Sequence, residues 1–210
     1  MNFLQLCQRL RQEVGGSGDG PPSVLSQIGE NNLYVTWINQ AWTEIQNMRT
    51  DWNFQWTPLS ITLTAGQSSA TLPTDFNILI GDGLQLDTHS VSAISWGDMR
   101  DIRQGTLNTT RPSALAVAPD GTLYFNAIAD QNYTLTGHYF TTPVSLANNT
   151  DTPALPSHFH MLIVYKAMMF YGAYENAPEV AQSARLSFEQ MLADVMRSEL
   201  PEVEMPGTIA

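Results

Sequence analysis

His158 and His160 form the only close pair among four histidines. On a strand, a two-residue spacing would turn both imidazoles to one side, where a metal ion could bridge them. The pair stands instead where a helix is expected to begin, and on a helix two residues point about 200° apart. No cysteine or carboxylate cluster completes a ligand set, so the two read as polar groups at a helix start, and His89 and His138 are isolated. Asp82, Asp87, Asp98 and Asp101 could supply the two acids that glycoside hydrolysis holds across a scissile bond. Proximity in sequence does not create that geometry, and acids in turns and on solvated surfaces are the common case. No Gly-x-Ser-x-Gly elbow, Walker loop, His-Glu-x-x-His or Cys-x-x-Cys occurs. The glycines of Gly15–Pro22 fail as a phosphate-binding loop, because they follow a helical pattern and run into Pro21-Pro22 instead of leading from a strand into a helix. That segment reads as a flexible linker. The residues therefore predict a protein that is not an enzyme, with no catalytic residue, metal site or cofactor.

Composition narrows the partners. The formal net charge is −11 with nine basic residues, which disfavours a tight, phosphate-neutralising grip on nucleic acid but suits a wall past which a duplex slides. A chain of 210 residues buries roughly 70% of its unfolded surface and needs no staple. The single cysteine, Cys7, lies on the apolar side of a predicted helix and is expected to be a buried structural thiol. The opening residues lack the basic flank and long apolar core of a signal peptide, so none is expected. The longest apolar stretch, Met161 to Tyr174, is interrupted by Lys166 and Gly172 and is shorter than the about 20 residues a bilayer needs.

The elements follow from periodicity. Phe3, Leu6, Cys7, Leu10 and Val14 predict a first helix ending at Gly15-Gly16. Tyr34, Trp37, Ile38, Ala41, Ile45, Met48 and Trp52 predict a second over Asn32–Trp52, its aromatic stripe packing against another helix. From Pro58 to Leu146 the pattern is β. Leu59, Ile61 and Leu63 alternate with polar residues, and Leu72–Phe76, Ile78–Ile80 and Leu84–Leu86 read as short strands parted by tight turns. Ser113–Val117 and Thr122–Phe125 flank Pro119-Asp120-Gly121 as a hairpin, and Tyr133, Leu135, Gly137 and Tyr139 continue at period two. Ser95–Gln104 is expected to hold one helical turn. A third helix is expected from Pro156, apolar nearly all round, and a fourth after Asn176-Ala177-Pro178, carrying Val180, Ala184, Phe188, Met191, Leu192 and Val195 on one stripe. Trp96, Tyr124, Phe125, Tyr133 and Tyr139 could line a sugar-binding groove, but strand alternation usually turns such residues inward. The predicted fold class is α+β: an α-helical bundle of N- and C-terminal helices with a β-rich antiparallel insertion. The expected division is 1–57, 58–146, 147–200 and an extended C-terminal arm, 201–210.

The succession of Leu72-Pro73-Thr74-Asp75-Phe76, Arg111-Pro112, "YTLTGHYFTTPVSL" and "LPSHFHMLIVYKAMMFYGAY", with the earlier "FLQLCQRLRQE" and "WINQAWTEIQNMRTDW", resembles head-to-tail adaptor proteins of tailed bacteriophages over nearly the whole chain. The resemblance implies a structural virion protein of the head-tail junction, assembled in the bacterial host cytoplasm. It further implies a homo-oligomeric ring of about twelve copies. The ring would dock under the portal protein, extend a channel that DNA traverses without specific binding, and offer a platform to tail tube, nozzle or tail-fibre proteins. Because some phage adaptors cleave peptidoglycan, a virion hydrolase is an alternative, as is the sugar-binding β module. The β insertion is expected to be a distinct lobe that meets tail components. In the arm, Pro201 and Pro206 stop helix growth and Val203, Met205 and Ile209 have too few neighbours for a core. Pro201, Val203, Met205 and Ile209 are therefore expected to dock on the portal.

Overall fold

Asn2 opens the first helix in the computed structural model, which describes residues 1–16 and 18–200. Along the chain run α1 (Phe3–Glu13), α2 (Gly29–Asn47), β1 (Trp56–Leu63), β2 (Ser69–Thr71), β3 (Phe76–Leu86), β4 (His89–Ser90), β5 (Ser92–Ala93), α3 (Trp96–Arg103), β6 (Ala114–Val117), β7 (Thr122–Phe125), β8 (Tyr133–Thr141), α4 (Met161–Tyr174) and α5 (Pro178–Glu199). The fold is α+β, and contacts divide it into a helical unit, Met1–Phe54 with the segment from Pro143 onward, and a β unit, Gln55–Thr142.

In the helical unit, α1 begins with a reciprocal cap: Gln5 N–H donates to Asn2 Oδ1 and Asn2 N–H donates to Gln5 Oε1, each at 2.9 Å. Its buried residues Phe3, Leu6, Cys7 and Leu10 have helical spacing and join a core with Tyr34, Trp37, Ile38, Trp42 and Ile45 of α2. The same core takes Leu162, Ile163, Val164 and Ala167 of α4 and Ala184, Phe188 and Val195 of α5. Cys7 is buried, and burial pushes its thiol up to about 12. The α4–α5 junction is tight. Asn176 adopts φ +53, Pro178 opens α5, and a Cβ on Gly172 would stand 2.8 Å from Ala181 Cβ and 3.0 Å from Ala177 O.

Three boundaries in this unit differ from expectation. α2 starts at Gly29 and ends at Asn47, short of Trp52. Trp52 is buried because the chain folds back, its indole N–H donating to Ile45 O at 3.2 Å and its ring stacking on Phe54. Pro156 does not begin α4: it is extended and precedes a 3-10 turn, Ser157–Phe159, before α4 starts at Met161. Gly16 and Pro21, expected to belong to a flexible linker, are held in place: Gly16 N–H donates to Arg11 O at 3.1 Å, Gln8 Nε2 donates to Pro21 O at 3.2 Å, and Pro21 is buried.

The β unit holds two four-stranded sheets, β1-β8-β3-β4 and β2-β7-β6-β5. Leu59, Leu63, Leu84, Leu86, Leu115, Leu123, Phe125, Tyr133, Leu135 and Tyr139 make its core, in keeping with period-two alternation along β1 and β8. β6 and β7 pair as the expected hairpin, with Gly121 at φ +79 in the turn. The first correction here is β3, one 11-residue strand and not several short ones. Gly81-Asp82-Gly83 makes no turn; it lies in the register shift between Ile80 and Gln85, so the glycines mark an irregularity within a continuing strand. The second is that β5 pairs parallel with β6, so the insertion is not wholly antiparallel. The third is α3, an eight-residue helix where a single turn was expected, capped by Ser95 Oγ accepting from Asp98 N–H at 3.1 Å.

Candidate docking surfaces

Among the described residues no group of three or more His, Cys, Asp or Glu is placed to hold a metal, and no helix is long and apolar enough to cross a membrane. His160 is buried, its Nε2 2.8 Å from Leu155 O and its Nδ1 2.6 Å from the Met1 ammonium, whereas His158 is exposed. Burial holds the His160 imidazole below its ordinary value. The four aspartates do not converge. Asp98 accepts from Ser95 Oγ at 2.7 Å, Asp101 pairs with Arg100 at 3.3 Å, Asp87 accepts from Thr134 N–H at 2.9 Å, and Asp82 is exposed in the β3 irregularity. Of the aromatics considered for a sugar groove, Phe125, Tyr133 and Tyr139 are buried. Trp96 leans on Tyr124 at 5.2 Å, and Arg103 lies over the same ring at 4.5 Å while donating to Phe125 O and Ser68 O. Pro201, Val203, Met205 and Ile209 lie outside the described residues.

Several large apolar side chains stand uncovered in each unit. In the β unit, strand pairing puts Trp56, Phe140 and Ile78 in one cross-strand row and Pro58, His138 and Ile80 in the next. Trp56 is 47% exposed and stacks on His138 at 4.4 Å, and Ile78 is 41% exposed. The outward face of this sheet is therefore polar at Ser60, Thr62, Thr134 and Thr136 but apolar at its other end, a departure from the uniformly polar outer face that alternation predicts.

In the helical unit, α2 organises the surface. Asn39 and Gln46, seven residues apart and thus on one helix face, bind the returning chain as a neighbouring strand would. Asn39 Nδ2 donates to Leu146 O at 2.9 Å and its Oδ1 accepts from Leu146 N–H at 3.0 Å. Gln46 Nε2 donates to Val144 O at 3.2 Å and its Oε1 accepts from Val144 N–H at 3.0 Å, while Trp42 Nε1 adds a bond to Val144 O at 2.9 Å. Alongside runs a groove of about 410 Å³ lined by Val35, Thr36, Thr43, Glu44 and Ser145 as well as Asn39 and Gln40. Val144, next to Ser145, is 59% exposed. Burial acts against ionisation of Glu44, but hydrogen bonds from Lys166, 2.9 Å away, and Gln40 hold its carboxyl below the ordinary value.

At the other end of α2, Leu25 and Ile28 project from a loop, 56% and 87% exposed. The loop is fixed: Asn149 Oδ1 accepts from Val24 N–H at 2.7 Å and from Ser23 Oγ at 3.2 Å, and Val24 is buried. Below it Arg11 binds both Glu30 and the Tyr34 hydroxyl, which itself donates to Glu30. Burial together with the bond to Glu30 pushes Tyr34 up to about 12. Sequence reasoning missed this projection because it stopped at the glycines; the signal was the apolar set Val24, Leu25 and Ile28 ahead of a helix with no capping side chain at Ile28.

The model of the family described as SU10 adaptor protein matches residues 1–208. No curated protein matches the chain.

Proposed function

Because the chain belongs to the SU10 adaptor protein family, a phage head-to-tail adaptor family, we propose that it builds a homo-oligomeric ring in the virion neck, beneath the portal, that extends the DNA channel and receives the tail. The observation that carries this reading is the extent of the match, residues 1–208, which takes in both the helical and the β unit. Two features support it. The net charge of −11 gives a wall that does not grip phosphates, and apolar side chains stand uncovered on both units.

In this reading about twelve copies form the ring through one repeated contact between unlike faces. The β unit meets tail components through the Trp56–Ile78 end of its sheet, and Pro201, Val203, Met205 and Ile209 meet the portal. A weak contact repeated around a ring gains strength through effective concentration. Electron microscopy of assembled particles tests the reading: the chain should account for a ring of density directly under the portal, and a neck without it refutes the proposal. Removing Glu202 to Ala210 should leave a folded chain that no longer joins portal-bearing heads. Unchanged joining would refute the portal contact while leaving the ring intact.

A further inference from the structure

The irregularity in β3 carries reactive groups. Gly81, Asp82 and Gly83 are all exposed, and residues 81–84 have no register partner on β8, which pairs with Ile80 before them and Gln85 after them. Among the described residues no hydrogen bond or ion pair engages the Asp82 carboxylate. Gly83 holds φ +73, and a Cβ there would meet nothing within 4 Å, so the peptide unit that follows Asp82 has room to turn. We propose that Asp82-Gly83 is a site of spontaneous isoaspartate formation. The main-chain nitrogen of Gly83 bonds to Cγ of Asp82 in its acid form, and the carboxyl hydroxyl leaves as water with the nitrogen's proton. Water then adds to one carbonyl of the cyclic imide and breaks its bond to nitrogen. Opening at Cγ restores aspartate, and opening at the main-chain carbon leaves isoaspartate, with the chain routed through Cβ and Cγ. The water lost is regained, and no oxidant or reductant takes part.

The same dipeptide occurs at Asp19-Gly20 and Asp120-Gly121, and the fold restrains both. In the β6–β7 turn, Asp120 Oδ1 accepts from Thr122 N–H at 2.9 Å, and Gly121 N–H, which would be the attacking group, donates to Ala118 O at 2.9 Å. Both bonds must open before the ring can close. Gly20 lies against α1, where a Cβ would stand 3.2 Å from Gln8 Cα and 3.3 Å from Arg11 Cβ, and Pro21 after it is buried. The peptide unit following Asp19 is therefore wedged at its far end. Only at Asp82 are the carboxylate and the following glycine both unhindered. The product adds one carbon to the main chain within the register shift, between stretches that β8 already holds, so the β unit keeps its fold.

Ageing the purified full chain in warm neutral buffer made with heavy-oxygen water tests the assignment. Cleavage after Arg and Lys puts the three dipeptides on separate peptides, which mass spectrometry compares with synthetic isoaspartyl standards. The peptide with residue 82 should gain isoaspartate and heavy oxygen steadily. Because two hydrogen bonds must open first at Asp120-Gly121, conversion there should be at least about tenfold slower. Conversion at Asp19 should also be slower than at Asp82. In urea the three should convert at similar rates, since the fold is what separates them. Asp82→Glu, a change at an exposed position, should melt like wild type and yield no isoaspartate there. A folded chain that forms none at Asp82 while the unfolded chain does, or that converts Asp19 or Asp120 as fast as Asp82, would overturn the proposal.

Discussion

Replacing Gln46 tests whether the helix side chains truly stand in for a strand. Gln46 is 3% exposed, and its amide makes three bonds: to Val144 O at 3.2 Å, to Trp42 O at 3.3 Å and from Val144 N–H at 3.0 Å. Gln46→Leu keeps the volume and removes all three. Val144 O retains the Trp42 indole, but Val144 N–H is left without its partner, so the cost is that of one orphaned amide, about 1–3 kcal/mol. Gln46→Glu is the sharper probe. It keeps an acceptor for Val144 N–H but sets an anionic oxygen against two carbonyls that had received a donor. Burial and those carbonyls raise the carboxyl's folded pKa above its unfolded value near ~4.3. With the folded pKa raised, the folded state binds more protons between the two values, so stability relative to wild type falls as pH rises. Urea titrations followed by Trp fluorescence report this unit, since Trp37, Trp42 and Trp52 all lie in its core. A loss below about 0.5 kcal/mol for Gln46→Leu, or a Gln46→Glu deficit independent of pH between 4.5 and 7.5, would refute the strand-mimic account.

Trp37→Ala should cost about 3–5 kcal/mol, because Trp37 is buried and meets Tyr34, Tyr171 and Tyr174 edge-on; a change below about 1 kcal/mol by denaturant titration rejects its place in the core. Gly172→Ala should lose about 2 kcal/mol net, since overpacking against the backbone of Ala181 and Ala177 outweighs the ~1 kcal/mol that alanine gains in helix propensity, and an unchanged or higher melting temperature contradicts the close approach of α4 and α5. His160 has a folded pKa below its unfolded value, so its contribution is fully present above about pH 6.5 and is lost as pH falls through the folded pKa. His160→Gln, which keeps a donor for Leu155 O, should therefore show a shallower loss of melting temperature on acidification from pH 7 to 5 than wild type; parallel curves contradict it.

Where one element buries one stripe against neighbours of any kind, periodicity alone was enough. The spacings of Phe3–Leu10, Tyr34–Ile45, Leu59–Leu63 and Tyr133–Tyr139 place the right residues in the two cores, because inward or outward is decided within a few residues. It failed where burial is arranged by a remote segment. Trp52 satisfies the helical period of α2 yet is buried by a reversal after Asn47, and periodicity cannot tell these apart since both hide the same ring. Gly81-Asp82-Gly83 has the composition of a turn, but pairing with β8 on both sides of it holds β3 as one strand. The surfaces were harder still. Asn39 and Gln46 look like ordinary polar positions on an amphipathic helix until Val144 and Leu146 arrive about a hundred residues later. Ile28 looks like a core residue until the loop fixed by Asn149 turns it outward. In an assembly protein this is the expected division, because a fold is specified by faces that bury within the chain. A docking surface consists of the apolar residues that remain when those faces are satisfied, and only the closed fold shows which they are.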